Sequence, residues 1–248
     1  GQGMIQDNTR IYAVGDIHGR VDLLREIQAL ILDDAKTASA HGAALGGRKI
    51  LVYLGDYIDR GPSSMEVLDH LISTDKTNEE LGFESVYLKG NHEDYFLRFM
   101  ASGELGKAWV NNGGAALLNN FGLELSANSS PEEFVETASL LRRMLSPDHR
   151  CFLMGLQTYF EYHEYYFVHA GIRLGVSLQN QKIQDMLWIR EDFMNSNIDF
   201  GKIIVHGHTI GDDPEIKANR ISIDTGAYLS NRLTCGVIEN EHVRFLQT

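Results

Sequence analysis

The chain has little cysteine and a deficit of basic charge, and each shortage narrows what it does. Cys151 and Cys235 are the two cysteines in 248 residues. No CxxC or Cys/His finger spacing exists, which excludes a zinc-finger module and argues against a disulfide framework. Free thiols fit a reducing compartment, so a cytoplasmic location is expected. Lys and Arg number 22 against 34 Asp and Glu, for a net charge of −12. Such a chain lacks the basic surface that releases counterions from a nucleic acid, so no nucleic-acid partner is expected. An anionic small substrate stays compatible, because a local cation can dominate the field. No apolar run approaches ~20 residues, so no membrane-spanning helix is expected. No basic segment leads into a long apolar one near residue 1, so no signal peptide is expected either. Gly1-Gln2-Gly3, ahead of Met4, is assigned no role. Repeats, low-complexity tracts and evident linkers are absent.

What is present is an ordinary globular composition, 43% hydrophobic and 23% charged, read as one domain over residues 1–248. Apolar runs rich in Val, Ile and Tyr recur at 10–14, 49–54, 85–88, 165–168, 202–205, 220–223, 234–238 and 242–246. Near-continuous runs of this length read as strands of a buried sheet. The first three alternate with helical patterns. Val21, Leu24, Ile27, Leu30 and Ile31 share one face over 21–35, and Met65, Leu68, Leu71 and Ile72 do so over 64–72. Ser63 with Glu66 fits a capping box. This alternation implies βαβ units in an α/β fold. The last three strands have short connections and imply an antiparallel C-terminal part. Residues 93–160 read as a mostly helical insertion, with Ser130, Pro131 and Glu133 marking one helix start. The "LGG" at 45–47 reads as a loop.

Five of these strands are followed by Asp, Asn or His. Asp16 and His18 follow the first, Asp56, Asp59 and Arg60 the second, and Asn91, His92 and Glu93 the third. His169 and His208 follow two later strands. Open α/β sheets bind ligands at the carboxyl ends of their strands. Asp oxygens and His nitrogens with an Asn carbonyl and no thiolate suit Mn, Fe, Zn or Mg. Asp16, His18, Asp56, Asn91, His169 and His208 supply six ligands, enough for two metals if Asp56 bridges. A two-metal site holds its ions about 3.5–4 Å apart and clamps both oxygens of an in-line displacement. Two divalent cations outweigh Asp16, Asp56 and a bridging hydroxide, and Arg60 adds to the excess. A dianionic phosphate monoester fits that charge. His92 need not be a ligand: a histidine there can protonate a leaving oxygen, with Asp59 fixing its tautomer.

The blocks GDIHG (15–19), GDYIDRG (55–61) and GNHED (90–94) resemble the signatures of the PPP-type metallophosphatases. This branch of the calcineurin-like metallophosphoesterases includes serine/threonine phosphatases, phage lambda phosphatase, bacterial relatives and symmetrical dinucleoside tetraphosphatases. HAG (169–171), GHT (207–209), IDTGA (223–227), LWIRED (187–192) and WVNNGG (109–114) also match, so the resemblance spans roughly residues 10–246. Ile210 stands where the GHxH pattern of many other metallophosphoesterases places a second histidine.

The resemblance implies a metallophosphoesterase-type β-sandwich flanked by helices, with the site at the top of the strands. It implies that Asp16, His18 and Asp56 bind one metal and that Asp56, Asn91, His169 and His208 bind the other. Mn²⁺ is the expected metal, with Fe or Zn as alternatives. Arg60 and Arg190 would hold the phosphate together with Asn91 and His92, and His92 would be the general acid supported by Asp59. The expected reaction is direct in-line attack of a metal-bridging hydroxide, without a phosphoenzyme.

Taken alone, several residues have ordinary readings. His206 lies two residues from His208, on the same side of a strand, and competes as a ligand; the GHT match favours His208. Arg190 rests on a shorter match, which favours a phosphate ligand over a surface arginine paired with Glu191 or Asp192. Tyr228 reads as site or rim packing, and Trp109 and Asn112 as substrate mouth or packing. Tyr95, Phe96 and Phe99 read as core, and His41, His70, His149, His163 and His242 as surface. Three functions follow. The first is a protein phosphatase acting on phosphoserine and phosphothreonine, with phosphotyrosine as an extension. The second is a symmetrical dinucleoside tetraphosphatase or other small-molecule phosphatase. The third, an inactive scaffold, is opposed by the intact ligand set.

Overall fold

The structure is a computed structural model that describes residues 7–37 and 47–248. Among these, ten strands, numbered in chain order, form two five-stranded sheets. The first sheet runs β10 (His242–Gln247), β9 (Thr234–Glu239), β1 (Thr9–Val14), β2 (Arg48–Tyr53), β3 (Phe83–Tyr87). The second runs β4 (Tyr159–Tyr162), β5 (Tyr165–Val168), β6 (Ile203–His206), β8 (Arg220–Ser222), β7 (Glu215–Ile216). Strands β1, β2 and β3 are parallel, joined by α1 (Val21–Ala35) and α2 (Ser64–Glu80). These are the expected βαβ units. Strands β5, β6 and β8 are also parallel.

Side-chain alternation explains why the strand sequences look uniformly apolar. On β1, Ile11 and Ala13 meet Phe167, Val205 and Ile221 between the sheets. Tyr12 and Val14 face the opposite way and pack with Leu24 and Ile27 of α1 and Leu68 and Leu71 of α2. The second sheet likewise turns Tyr166, Val168 and Ile204 outward against Met186 and Phe193. Both faces of the central strands are covered, so period-2 polarity disappears there; the edge strands β4 and β10 keep an alternation of exposed and half-buried residues.

Between β3 and β4 the chain is helical: α3 (Asn91–Ser102), α4 (Gly106–Trp109), a π-helical turn (Val110–Gly114), α5 (Ala115–Asn119), α6 (Pro131–Met144) and α7 (Pro147–Met154). At the start of α6, the Ser130 hydroxyl accepts from Glu133 N at 3.1 Å, and the Glu133 carboxylate accepts from Ser130 N at 3.0 Å. That capping box forms as expected. The one expected at Ser63 does not form. The Ser63 hydroxyl instead donates to Gly19 O and accepts from Val21 N, so it ties down the start of α1. Three further expectations change. The strand at 220–223 is not part of an antiparallel C-terminal unit: β8 pairs parallel with β6 in the second sheet, and only β9 and β10 form the hairpin. The helical insertion ends before 160, because Tyr159–Tyr162 forms edge strand β4. Helix α2 continues past 72 to Glu80, through residues too polar to show a periodic face. Leu45 and Gly46 of the expected loop, and His41, lie outside the described residues. Among the described residues no helix is long and apolar enough to cross a membrane.

Candidate active site

The loops after β1, β2, β3, β5 and β6 converge at one edge of the sandwich. There the Asp56 carboxylate is the meeting point. Its Oδ2 lies 3.4 Å from His18 Nε2 and 3.2 Å from His169 Nε2. Each imidazole spends its other nitrogen on a backbone carbonyl: His18 Nδ1 donates to Ile58 O at 2.9 Å, and His169 Nδ1 to Leu54 O at 2.8 Å. That partner orients the ring and leaves Nε2 aimed at a carboxylate oxygen. Acceptors facing each other at this distance need a positive charge between them. Asn91 Oδ1 completes one side, 2.9 Å from His169 Nε2 and 3.1 Å from His208 Nδ1. Asp16 Oδ2 stands 3.8 Å from His18 Nε2 on the other.

The buried polar atoms tell the same story. Asp16 Oδ2 and His208 Nε2 have no hydrogen-bond partner, and such atoms call for an explanation. Burial lowers the His18 pKa to about 3 and the His208 pKa to about 2, so both rings are neutral. Burial resists charge on Asp56, yet the facing His169 and His92 hold its carboxyl well below the usual range. Burial also resists charge on His169, and Asp56 nonetheless raises it. Burial and Asp224 push the Asp16 carboxyl up. The pocket thus demands positive charge beside Asp16 and Asp56, as protons or as cations. Asp–His–Asn donors of this kind fit divalent cations. His18, Asp56 and His92, and separately Asp56, His169 and His208, gather ligand atoms closely enough for a metal.

The loops are held by residues whose role the sequence did not disclose. The buried Glu93 carboxylate accepts from Asp56 N at 2.7 Å, Tyr57 N at 2.9 Å and Gly90 N at 2.8 Å. Burial first, then Asp56, raises its pKa to about 7. Gly90 is required by contact: a Cβ there would strike the Asp56 carboxylate. Asp224, in the IDTGA block, is buried beside Asp16 and lines the cleft.

On the cleft side of this cluster, His92 Nδ1 donates to Asp59 Oδ2 at 2.7 Å. Burial opposes the imidazolium, but Asp56 and Asp59 raise the His92 pKa. Trp109 is fully buried, so of its two readings the packing one holds; its indole Nε1 also donates to Asp59 Oδ2 at 2.8 Å. Arg60 is exposed and points into the cleft, where its Nη1 donates to the Tyr228 hydroxyl at 2.8 Å. The WVNNGG block explains its seat. Gly113 O accepts from Arg60 N at 3.0 Å, and a Cβ at Gly113 would collide with the Arg60 side chain. Arg190 lines the same cleft, with long contacts to His208 O at 3.4 Å and Thr209 Oγ1 at 3.5 Å. Among the described residues no ion pair joins it to Glu191 or Asp192. The cleft encloses about 320 Å³ and is also lined by Asn112, Trp188 and Tyr228.

His206 and His208 have different surroundings. Strand β6 stops at His206, and His208 turns with φ 67°, so the two side chains no longer share a face. His206 packs its ring on Phe193 and lies 3.4 Å from Arg220 Nη1. Phe96 and Phe99 are core, but Tyr95 is only half-buried, edge-on to Trp188 with centroids 4.9 Å apart. His70 and His149 are half-buried rather than surface residues, bonded to Gln28 and Asp69.

A family model for calcineurin-like phosphoesterases matches residues 9–222. Serine/threonine-protein phosphatase 2 of Escherichia coli (strain K12) is 28% identical over 233 residues, covering 90% of both chains. An asymmetrical bis(5'-nucleosyl)-tetraphosphatase, PrpE, of Anoxybacillus flavithermus is 27% identical over 202 residues, covering 76% of this chain and 74% of the relative. A serine/threonine phosphatase structure from Saccharomyces cerevisiae superposes with a TM-score of 0.56 at 12% identity, over 98% of this chain and 82% of that one. At that identity the likeness concerns the fold alone.

Proposed function

The chain belongs to the calcineurin-like phosphoesterase family, as a PPP-type metal-dependent phosphatase, and from that premise we propose that it hydrolyses phosphoserine and phosphothreonine monoesters in proteins. One observation carries the reading. The Asp59-backed His92 and the two guanidinium groups of Arg60 and Arg190 border one cleft over the Asp56 cluster. That is an acid, two oxyanion clamps and a cation seat around a volume the size of a phosphoryl group and its neighbours.

In this reading Asp16, His18 and Asp56 would hold one divalent cation, and Asp56, Asn91, His169 and His208 a second. Mn²⁺ suits the donors, and Fe or Zn are the alternatives. When bound, such cations polarise phosphoryl oxygens and activate water. The chain supplies the rest. Arg60 and Arg190 orient the phosphate and balance charge on its equatorial oxygens. Asn91, at the start of α3, adds its side-chain amide. Water attacks phosphorus in line, the bond to the leaving oxygen breaks, and His92 gives that oxygen its proton from Nε2. Asp59 holds the Nδ1–H and keeps the ring aimed. No protein nucleophile is needed.

A second reading has its own observation. Trp188 and Tyr228 place aromatic rings on the cleft, and relatives named as tetraphosphatases match the chain. A dinucleoside tetraphosphate would use those rings for a base. The test is a Mn²⁺-supplemented comparison of kcat/KM for phosphopeptides and for diadenosine tetraphosphate, with His92→Asn as background. The peptides are expected to win by orders of magnitude. A dinucleotide advantage would replace the substrate class and leave the metal chemistry standing.

A further inference from the structure

The WVNNGG block buries Trp109 fully, outside the cleft lining, yet the one polar atom of its side chain bonds Asp59. We infer that Trp109 is a positioning residue for the general acid, the third member of a Trp109–Asp59–His92 relay in which the indole N–H fixes the carboxylate that fixes the imidazole. The inference rests on the phosphatase reading above.

The geometry is specific. Asp59 is fully buried, at 0% exposure. Its Oδ2 accepts two hydrogen bonds, from His92 Nδ1 at 2.7 Å and Trp109 Nε1 at 2.8 Å, while Oδ1 has no partner. The Asp59 backbone is held separately, by Asp59 N donating to Ser64 Oγ at 2.9 Å. The carboxylate plane is therefore set by two side-chain donors alone. An indole N–H donates and cannot accept, so it anchors the carboxylate without competing for the His92 proton. Trp109 is itself immobile. Phe96 and Phe99 flank its ring at centroid distances of 5.6 and 4.9 Å, and a Cβ at Gly114 would strike the indole. A phenylalanine would fill most of that space. The tryptophan brings, beyond packing, one donor to one oxygen.

The relay matters only for a leaving oxygen that needs a proton. The test therefore compares phenyl phosphate, a poor leaving group, with p-nitrophenyl phosphate, a good one. Trp109→Phe should lower kcat about 10- to 100-fold on the poor leaving group, a part of the ~10²–10⁴-fold that general-acid catalysis supplies, and much less on the good one, with KM nearly unchanged. In a His92→Asn background the same change should have no further effect, because members of one unit are not additive. If Trp109→Phe fails to fold, 3-benzothienylalanine at position 109 removes the N–H at nearly unchanged shape and should give the same split. A readout independent of turnover is available in the metal-free chain: of its two tryptophans, one indole N–H resonance should move on Asp59→Asn and the Trp188 resonance should not. Equal losses on both esters, an additive loss in the His92→Asn background, or an indole signal indifferent to Asp59→Asn overturns the inference while the phosphatase reading stands. A wild-type chain that turns over neither ester overturns both.

Discussion

His18, Asp56, Asp59, Arg60 and His208 sit at φ 44°, 57°, 73°, 72° and 67°. A left-handed backbone costs a non-glycine residue of order 1–3 kcal/mol, so the site carries much of the fold's backbone strain, with Leu105, His163, Asn231 and Asn240 elsewhere. Glu93 holds part of it, through three backbone N–H groups at the Asp56 and Gly90 turns. The residues that converge on Asp56 were legible in the sequence because each follows an apolar run and is spaced from its neighbours by a short motif. The loop-capping bonds of Glu93, the place of Asp224 beside Asp16 and the Trp109–Asp59 bond were not legible. A buried carboxylate that caps loops and a tryptophan between phenylalanines look like ordinary structure until their partners are known. His92 was legible, and its role has a sharp consequence. His92→Asn should leave metal content unchanged and lower kcat by about 10²–10⁴ on poor leaving groups, with a smaller loss on nitrophenyl esters. Equal losses on both would remove the general-acid assignment.

At the scale of elements, the parallel strands β1–β3 were readable because their helices carry clear periodic faces. Strands β4 and β7 were not: one is an exposed edge strand and the other has two residues. The sheet change at β8 was unreadable for a different reason. A short connection between 223 and 234 fits a hairpin as well as a crossing between sheets, and burial of Ile221 against Phe167 and Val205 decides it. One polar cluster binds three elements of the first sheet together. Asp34 near the end of α1 takes hydrogen bonds from Tyr12 on β1 at 2.7 Å and from Arg244 on β10 at 2.6 and 2.9 Å. Burial works against its charge, but Arg244 and Tyr12 hold the carboxyl below its usual 3.8. A depressed carboxyl stabilises the fold above its unfolded pKa and loses that contribution as pH falls through the folded value. The melting temperature should therefore drop on acidification below about pH 4, and Asp34→Asn should flatten that limb while lowering Tm at pH 7. An unchanged acid limb in the variant would exclude Asp34 as its source.

Across the whole molecule, the site is the seam between the two sheets: Asp16, His18, Asp56 and Asn91 come from the first, and His169 and His208 from the second. Cations bound there would join the sheets, and any ligand confined to the folded state stabilises it by mass action, about 2.7 kcal/mol at one hundred times its Kd. For a chain this long that is about 5–10 °C in Tm per site. Chelation should lower Tm by that order and Mn²⁺ should restore it; a Tm indifferent to both would argue against a cation at the seam. The charge of −12 does not oppose such a centre, since the local field is set by the ligands and their ions. Everything turns on Asp56 lying between two histidines that face it from different sheets. The most direct measurement is therefore the metal content of purified wild-type and Asp56→Asn chains after loading with Mn²⁺ and removal of free ion. Two ions per wild-type chain and a clear loss in Asp56→Asn are expected. Two ions per chain in the variant would contradict the bridging role, and none in the wild type would contradict the centre itself.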